Sequence, residues 1–270
     1  MNGSYGSYEL TGIVINKKPL GENNLLLTIL SPEQGLVRVT APGAKKYKSK
    51  LRGRTELLVV NTFFIARGKS LDRITQIETI ESHAQLSQTI EKLTASQYLA
   101  ELVSYLALPE QPQQDLYTIL LEHLRRLANV NSKENLLPYI AQAVFHLLAV
   151  SGFAPNVYSC VQTQKTIEPQ FDQFKWHIGF SFQGGGLIRT NIPIHHHIDF
   201  KINAIELALL QSLTNANLKP IDEIVPKKYD RLLIDKSWIR VERLLKNYLQ
   251  FQVGRTLKSA EMITDILITF

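Results

Sequence analysis

The sequence predicts an α+β protein in which a small β-barrel precedes a larger helical region. Up to about residue 80, apolar residues alternate with polar ones or form short β-rich runs. From residue 83 onward, apolar residues recur instead at the helical spacing of about 3.6. The 270 residues are 44% hydrophobic, which is enough to bury a sizeable core. We therefore predict a barrel domain at residues 1–80 and a helical domain at residues 81–270.

The N-terminal third contains five β-rich runs separated by turn residues. Pro19-Leu20-Gly21, Pro42-Gly43 and Arg67-Gly68 are among the separators. Five short strands in this length suit a small closed barrel such as the OB-fold, and an SH3-like barrel is the main alternative. The predicted strands span residues 9–17, 24–31, 36–41, 56–66 and 71–80.

Five helices are predicted in the remaining chain from their apolar stripes. The fourth opens at Asn203, whose spacing to Glu206 is that of a capping box. The third and fifth are followed by Gly152 and Gly254, the residue type expected just past a helix end. The predicted helices span residues 86–106, 116–127, 134–150, a segment starting after 203, and 236–253.

Residues 155–197, between the third and fourth helices, have a different pattern. Short β-like runs at residues 174–182 and 187–190 surround Gly184-Gly185-Gly186. This triplet is not followed by a lysine and a serine or threonine, so it does not match a phosphate-binding P-loop. We predict a small β-containing insertion in which the triplet forms a hairpin turn.

Residues 34–54 contain no Asp or Glu and end in a run of cations. Gly43 and Gly53 allow close approach of the backbone, so the pattern predicts a flexible basic loop that binds phosphate rather than a helix. A solvated lysine-rich loop is the alternative. We name residues 45–54 the basic segment; its candidate DNA contacts are Lys45, Lys46, Tyr47, Lys48, Lys50, Arg52 and Arg54, with Tyr47 as a base-stacking residue.

The distribution of charge favours nucleic acid as the partner. Residues 1–80 hold 12 Lys and Arg against 6 Asp and Glu, whereas residues 81–270 hold 18 of each, so the whole net charge of +6 lies in the first third. In an OB-fold, oligonucleotides contact the middle strands and the loops after strands one and four. Secondary contacts predicted on this basis are Lys17, Lys18, Arg38, Arg67 and Lys69.

Phe63 and Phe64 are further candidates for base stacking in the same domain. Neighbours in a strand face opposite ways, so we expect one of the two to be a core residue.

A membrane or secreted protein is not predicted. No apolar run approaches the ~20 residues that a membrane helix needs, and the first ten residues lack the pattern of a signal peptide. The single Cys160 cannot form an internal disulfide, and one thiol cannot by itself make a structural zinc site. We expect a cytoplasmic protein.

An enzyme acting on nucleic acid is poorly supported by the sequence. Metal-dependent phosphodiester chemistry needs clustered carboxylates, and the six acidic residues of the basic third are widely spaced. Walker, nucleophile-elbow and His-Glu-x-x-His motifs are all missing from the sequence. His195-His196-His197 is the one feature that an enzyme could use, and we interpret it as an exposed loop. We predict no catalytic activity and no cofactor.

Three blocks of the sequence together form a recognisable pattern. The first block comprises residues 12–14, 21–26 and 35–46; the second, residues 151–156 and Cys160; the third, residues 242–245, Tyr248, 254–255 and 257–259. In this order and spacing the blocks resemble the RecO family of bacterial recombination mediators and DNA-annealing proteins, and the order makes the resemblance more specific than any single block.

The resemblance implies an OB-fold followed by a helical domain with a small zinc-binding insertion. It also implies binding of single- and double-stranded DNA without sequence preference, strand annealing, and help in loading RecA onto DNA coated by single-strand-binding protein, in the nucleoid of a bacterial cytoplasm. An OB-fold RNA-binding or ribosome-associated protein shares the electrostatic arguments and stays the alternative function.

The partners implied by the resemblance are RecR, near the OB-fold, and the acidic, apolar C-terminal tail of single-strand-binding protein, in the helical domain. A carboxylate-bearing tail needs basic residues beside an apolar groove. Solvated helix faces are the alternative role for such residues. Candidates chosen by charge alone are Arg125, Arg126, Arg243 and Lys246.

The predicted zinc site is where the sequence departs from the family pattern. Many members carry two Cys-x-x-Cys pairs in the insertion, which here correspond to Cys160 with Thr163 and to positions near Arg189 and Ile192. Three of four ligands are missing, and His177 with the run at 195–197 is a poor substitute because adjacent histidines rarely converge on one ion. We predict no metal, and an insertion held together by packing of Phe174, Trp176 and Phe180.

Overall fold

Five strands form a closed barrel at the N-terminal end of the chain. They are β1 (Ser7–Leu20), β2 (Asn24–Ser31), β3 (Gly35–Ala41), β4 (Val60–Ala66) and β5 (Asp72–Glu81). Their order around the barrel is β1-β2-β3-β5-β4, with β3 and β5 paired in parallel and the other neighbours antiparallel. The computed structural model describes residues 6–131, 134–173, 175–190 and 196–268. The predicted barrel is thus confirmed, and so is the α+β class.

The barrel core follows the period-two pattern from which the strands were predicted. Leu27, Ile29 and Val39 point inward and are fully buried, while Arg38 points outward. β4 begins four residues later than predicted because residues 53–55 form a 3-10 turn. The next residues pair with β1 at its bulge, where the Leu58 amide donates to the Val14 carbonyl.

The chain divides into two compact units, residues 1–129 and 130–270. Besides the barrel, the first unit contains α1 (Ile90–Leu106) and α2 (Gln114–Asn129). Thr89 caps α1, and the ammonium of the buried Lys92 donates to the Ala128 carbonyl of α2 at 2.8 Å. The first unit therefore extends past the barrel, and the boundary at residue 80 stays a prediction.

The second unit packs its helices around one long central helix, with a small sheet inserted after the first. Its elements are α3 (Leu137–Val150), β6 (His177–Ser181), β7 (Gly186–Ile188), β8 (Phe200–Asn203), α4 (Ala204–Ser212), α5 (Ile221–Ile224), α6 (Arg231–Val253) and α7 (Lys258–Ile268). α6 packs against both α3 and α4. Within the described residues, no helix is long and apolar enough to span a membrane.

Helix caps were predicted well in this unit, whereas short elements were missed. The capping box of Asn203 and Glu206 is present, and Gly254 ends α6 in the left-handed conformation at φ 65°. α6 begins earlier than predicted because Asp230 caps it, accepting from the Leu233 amide at 2.7 Å. β8, α5 and α7 are not in the prediction; β8 and α5 have four residues each, too few to show a periodicity.

The insertion forms a three-stranded sheet in the order β7-β6-β8. Gly184 and Gly185 lie in the turn of the β6–β7 hairpin, as predicted, and Gly186 begins β7. Phe180 is fully buried, and its ring packs edge-on against Tyr248 of α6, 5.6 Å between centroids. Trp176 is only partly buried, and Phe174 lies outside the described residues. Packing of the sheet on α6 therefore holds the insertion.

Candidate nucleic-acid interface

The basic segment is a series of turns that connects β3 to β4. The Lys46 amide donates to the Gly43 carbonyl and the Ser49 amide to the Lys46 carbonyl, which confirms a loop rather than an α-helix. Ala44 and Thr55, on either side of it, are buried, and Leu51 packs against the barrel core. These buried side chains fix the backbone of the segment against the barrel, and the cations between them face solvent.

All six cations of the basic segment are exposed, and so is its aromatic residue. Tyr47 is 86% exposed, and the Arg52 guanidinium lies 6.0 Å from the centre of its ring. An exposed ring beside a cation can stack a nucleic-acid base while the cation contacts the phosphate. The structure thus brings together the two features that single-strand binding requires.

The start of the basic segment is tied to the turn between β1 and β2. The Lys45 amide donates to the Asn23 carbonyl at 3.0 Å, and the Gly43 amide donates to Asn24 Oδ1 at 2.9 Å. Lys45 Nζ also donates to the Gly21 carbonyl at 3.4 Å. Lys18 is exposed at the end of β1 that leads into this turn. The loop after strand one and the basic segment therefore form one surface.

Besides Lys45, two further predicted phosphate contacts are engaged within the protein. Arg54 donates from Nη1 to the Ile77 carbonyl at 2.5 Å, and Lys17 forms an ion pair with Glu56. Because Glu56 offsets the charge of Lys17, we expect Lys17 to contribute less than the exposed lysines.

A second group of cations lies on the outer face of the barrel near β5. Arg38 is exposed on β3, Lys69 is exposed between β4 and β5, and the Arg67 guanidinium lies 5.1 Å from the centre of the Tyr8 ring. Arg73 belongs to this group, because it pairs with Thr40 of β3 and with Ala66 of β4. The prediction missed Arg73, although its position next to the buried Ile74 indicates an outward side chain.

Tyr8, which supports Arg67, is itself held in place by an acidic residue. Its hydroxyl donates to Asp72 Oδ2 at 2.8 Å. Burial, together with this hydrogen bond, raises the pKa of Tyr8 to about 12, so the phenol stays neutral. A neutral phenol adds no negative charge to the outer face near Arg67.

The two phenylalanines considered for stacking have different roles. Phe63 is fully buried in the barrel core, so it cannot stack on a base, and that interpretation is wrong. Phe64, its neighbour in β4, is partly exposed on the other face. The expectation that one of the pair belongs to the core is confirmed.

The four residues suggested for the acidic tail divide between the two units. Arg125 of α2 donates to both carboxylate oxygens of Glu81, at 2.9 and 2.6 Å, and Arg126 forms an ion pair with Glu122. The hydrogen bond from Arg125 holds the pKa of Glu81 below its ordinary value. On α6, Arg243 is exposed and Lys246 is partly buried. Arg125 and Arg126 thus have intramolecular partners, which is compatible with their alternative role as charged residues of a solvated helix face.

The positions that correspond to zinc ligands do not fit a zinc ion. Cys160 is fully buried, and its Sγ accepts from the Arg189 amide at 3.5 Å. The Arg189 guanidinium donates to the Thr166 carbonyl at 2.9 Å, which places a fixed cation where a dication would need a donor. Among the residues that the structure describes, no three His, Cys, Asp or Glu side chains form a cluster suited to a metal. Ile192 and His195 lie outside those residues.

Comparison with known proteins assigns the chain to a family. The model described as "Recombination protein O N terminal" matches residues 5–83, and "Recombination protein O C terminal" matches residues 87–261. The chain belongs to the RecO family. The resemblance seen in the sequence is therefore confirmed, and it places the chain among proteins of DNA repair and recombination.

Individual RecO relatives align over nearly the whole chain. "DNA repair protein RecO" of Gloeothece citriformis is 45% identical, and the alignment covers 96% of this chain and 97% of the relative. The protein of the same name from Trichodesmium erythraeum is 41% identical over 96% of this chain and 94% of its own length. The RecO of a Nostoc species is 37% identical over 95% of both chains.

Proposed function

We propose that this RecO-family chain binds single- and double-stranded DNA without sequence preference, anneals complementary strands and helps load RecA onto DNA coated by single-strand-binding protein. The observation that carries the proposal is the row of exposed cations on the basic segment, with Tyr47 among them. No acidic side chain interrupts the segment. The structure therefore supplies a surface complementary to a phosphate backbone.

Such a surface suits annealing better than sequence readout. Lysine contacts to phosphate position a strand without reporting its bases, and stacking on a tyrosine accepts any base. Annealing also requires two phosphate backbones to approach, and surface cations lower the repulsion between them. We propose that the protein does this as a binding protein, without catalysing a covalent step.

Membership of the RecO family supports the partners that we propose. We propose RecR as a partner near the barrel and the C-terminal tail of single-strand-binding protein as a ligand of the helical region, with RecA involved indirectly. Arg243 is the better candidate for the tail, because it is exposed, whereas Arg125 and Arg126 already form ion pairs. Lys246, one turn further along α6, stays a candidate by its charge. We propose that this work takes place in the nucleoid of a bacterial cytoplasm.

Salt dependence of DNA binding tests the proposal. Six phosphate contacts on a single strand predict a slope near −4 for log affinity against log salt, which is about a 300-fold loss between 50 and 200 mM. Fluorescence anisotropy with labelled oligonucleotides of unrelated sequence measures both the slope and any sequence preference. A slope near zero, or stronger binding to RNA than to DNA of the same sequence, would contradict the proposal and favour the RNA-binding alternative.

A further inference from the structure

The second unit carries three adjoining cavities near Trp176 and His177, of about 820, 580 and 330 Å³. Trp176 lines both of the larger cavities. His177 lines both the largest and the smallest cavity, and Asn203 lines both of the smaller cavities. Because each cavity shares residues with the next, they form one continuous surface, which we name the Trp176 groove.

Cations dominate the charge of the Trp176 groove, although residues 81–270 are balanced overall. Of its three acidic side chains, Glu206 is buried and bonded to Arg240, and Asp172 pairs with Lys228 at 3.1 Å. The third is Glu168. Its six cations are Lys175, Arg189, Lys201, Lys228, Lys236 and Arg240.

Two of these cations are available to an outside ligand. Lys201 on β8 and Lys236 on α6 are exposed, and neither forms an ion pair with any residue that the structure describes. Both line the smallest cavity, next to His177. An anion entering the groove would therefore meet uncompensated positive charge at this end.

The other end of the groove offers an aromatic face and amides. Trp176 is partly exposed, although tryptophan is a residue that proteins usually bury. Gln170 and Gln173 line the same two cavities as Trp176, and Tyr229 lines the second of them. A partly exposed ring and hydrogen-bonding amides in one groove with cations are features that suit a single-stranded nucleic acid.

We propose that the Trp176 groove binds a second segment of single-stranded DNA, with a base stacked on Trp176 and phosphates contacting Lys201 and Lys236. The inference rests on the proposed function and deepens it. A protein that anneals complementary strands has to hold two of them, and the basic segment accounts for one. The groove supplies a site for the other in the second unit.

Intrinsic fluorescence tests the stacking directly, because the chain has two tryptophans and the other, Trp238, is 5% exposed. Titration of the full chain with oligo(dT) is expected to quench emission, and the variant W176F is expected to lose that quenching. W176A should bind oligo(dT) about tenfold more weakly, within the range measured for loss of one stacked base. Circular dichroism of both variants checks that the fold is kept.

Charge removal gives a second, independent readout of the groove. The double variant K201Q/K236Q should lower the magnitude of the single-strand salt slope by about 1.4, since each lost phosphate contact removes about 0.7. The matched control K165Q/K219Q removes the same charge from exposed lysines of the same unit that do not line the groove. It should leave the slope unchanged.

The outcomes separate this inference from the proposed function. One outcome is that anisotropy shows DNA binding by the chain while emission is not quenched and W176A and K201Q/K236Q bind as the unaltered chain does. In that case the groove is not a DNA-binding site, and the proposed function stands. If no DNA binds at all, both are overturned. Quenching that W176F abolishes, together with the smaller slope of K201Q/K236Q, would establish the groove.

Discussion

Replacing Lys46, Lys48 and Lys50 by glutamate is expected to weaken binding to single-stranded DNA on the order of 100-fold at low salt. An ion pair near 4 Å contributes ~1 kcal/mol even in bulk water, so three lost contacts amount to ~3 kcal/mol. The three side chains are exposed, so the barrel should remain folded. Lys45 is left unchanged because it also donates to the Gly21 carbonyl.

The measurement is fluorescence anisotropy with labelled oligonucleotides of several sequences, which should all lose affinity alike because phosphate contacts carry no sequence information. The control K165E/K219E/K227E makes the same change in net charge at exposed lysines of the second unit. The affinity of this control for single-stranded DNA should fall far less than that of K46E/K48E/K50E. Equal losses in both variants would mean that net charge, and not the basic segment, determines binding.

The variant Glu242→Gln is expected to be more stable than the unaltered chain at pH 8 and not at pH 4. Glu242 lies in the buried face of α6, and its Oε1 has no hydrogen-bond partner among the described residues. Burial raises the pKa of Glu242 from 4.5 to about 7, against a smaller opposing effect of Lys246 and Arg243. The ionised carboxylate therefore destabilises the folded state.

The sign of the pH dependence follows from these pKa values. Below pH 4.5 the carboxyl is neutral in both folded and unfolded chains, so no penalty exists. As the pH rises from 4.5 to about 7, the unfolded chain loses this proton first, and the full penalty is present above about 7. The difference in pKa corresponds to about 3 kcal/mol, an upper figure for the gain from Glu242→Gln.

Urea unfolding at pH 4 and pH 8 measures this effect, and the quantity that matters is the change in the variant's advantage between the two pH values. Glu223→Gln is the matched control, because Glu223 is exposed in the same unit. It should shift stability little at either pH. If the free energies of unfolding of Glu242→Gln and the unaltered chain differed by the same amount at both pH values, a raised pKa of the buried Glu242 carboxyl would be contradicted.

The parts of the fold that follow local rules could be predicted from the sequence. The barrel strands alternate because one face of each is buried, and the caps at Asn203 and Gly254 are set by neighbouring residues. The exposed cations of the basic segment were also found, because an uninterrupted positive run is visible in the sequence. Residues near each other in the chain were enough for these predictions.

The intramolecular contacts that engage some of the predicted site cations could not be predicted from neighbouring residues. Lys17 pairs with Glu56, Arg54 with the Ile77 carbonyl and Arg125 with Glu81, and each pair is separated by more than 20 residues. Composition cannot show which cation is compensated, because that depends on how the barrel closes. The Trp176 groove was missed for the same reason, since its residues come from the insertion, β8 and α6.

Annealing of complementary fluorescent oligonucleotides coated with single-strand-binding protein tests the central claim most directly. The reaction is followed at several salt concentrations, with and without a metal chelator. The proposed function predicts annealing of the coated strands that slows as salt rises, is unaffected by the chelator, and is lost in the variant K46E/K48E/K50E. Failure of the unaltered chain to anneal coated strands, or annealing that K46E/K48E/K50E retains in full, would contradict it.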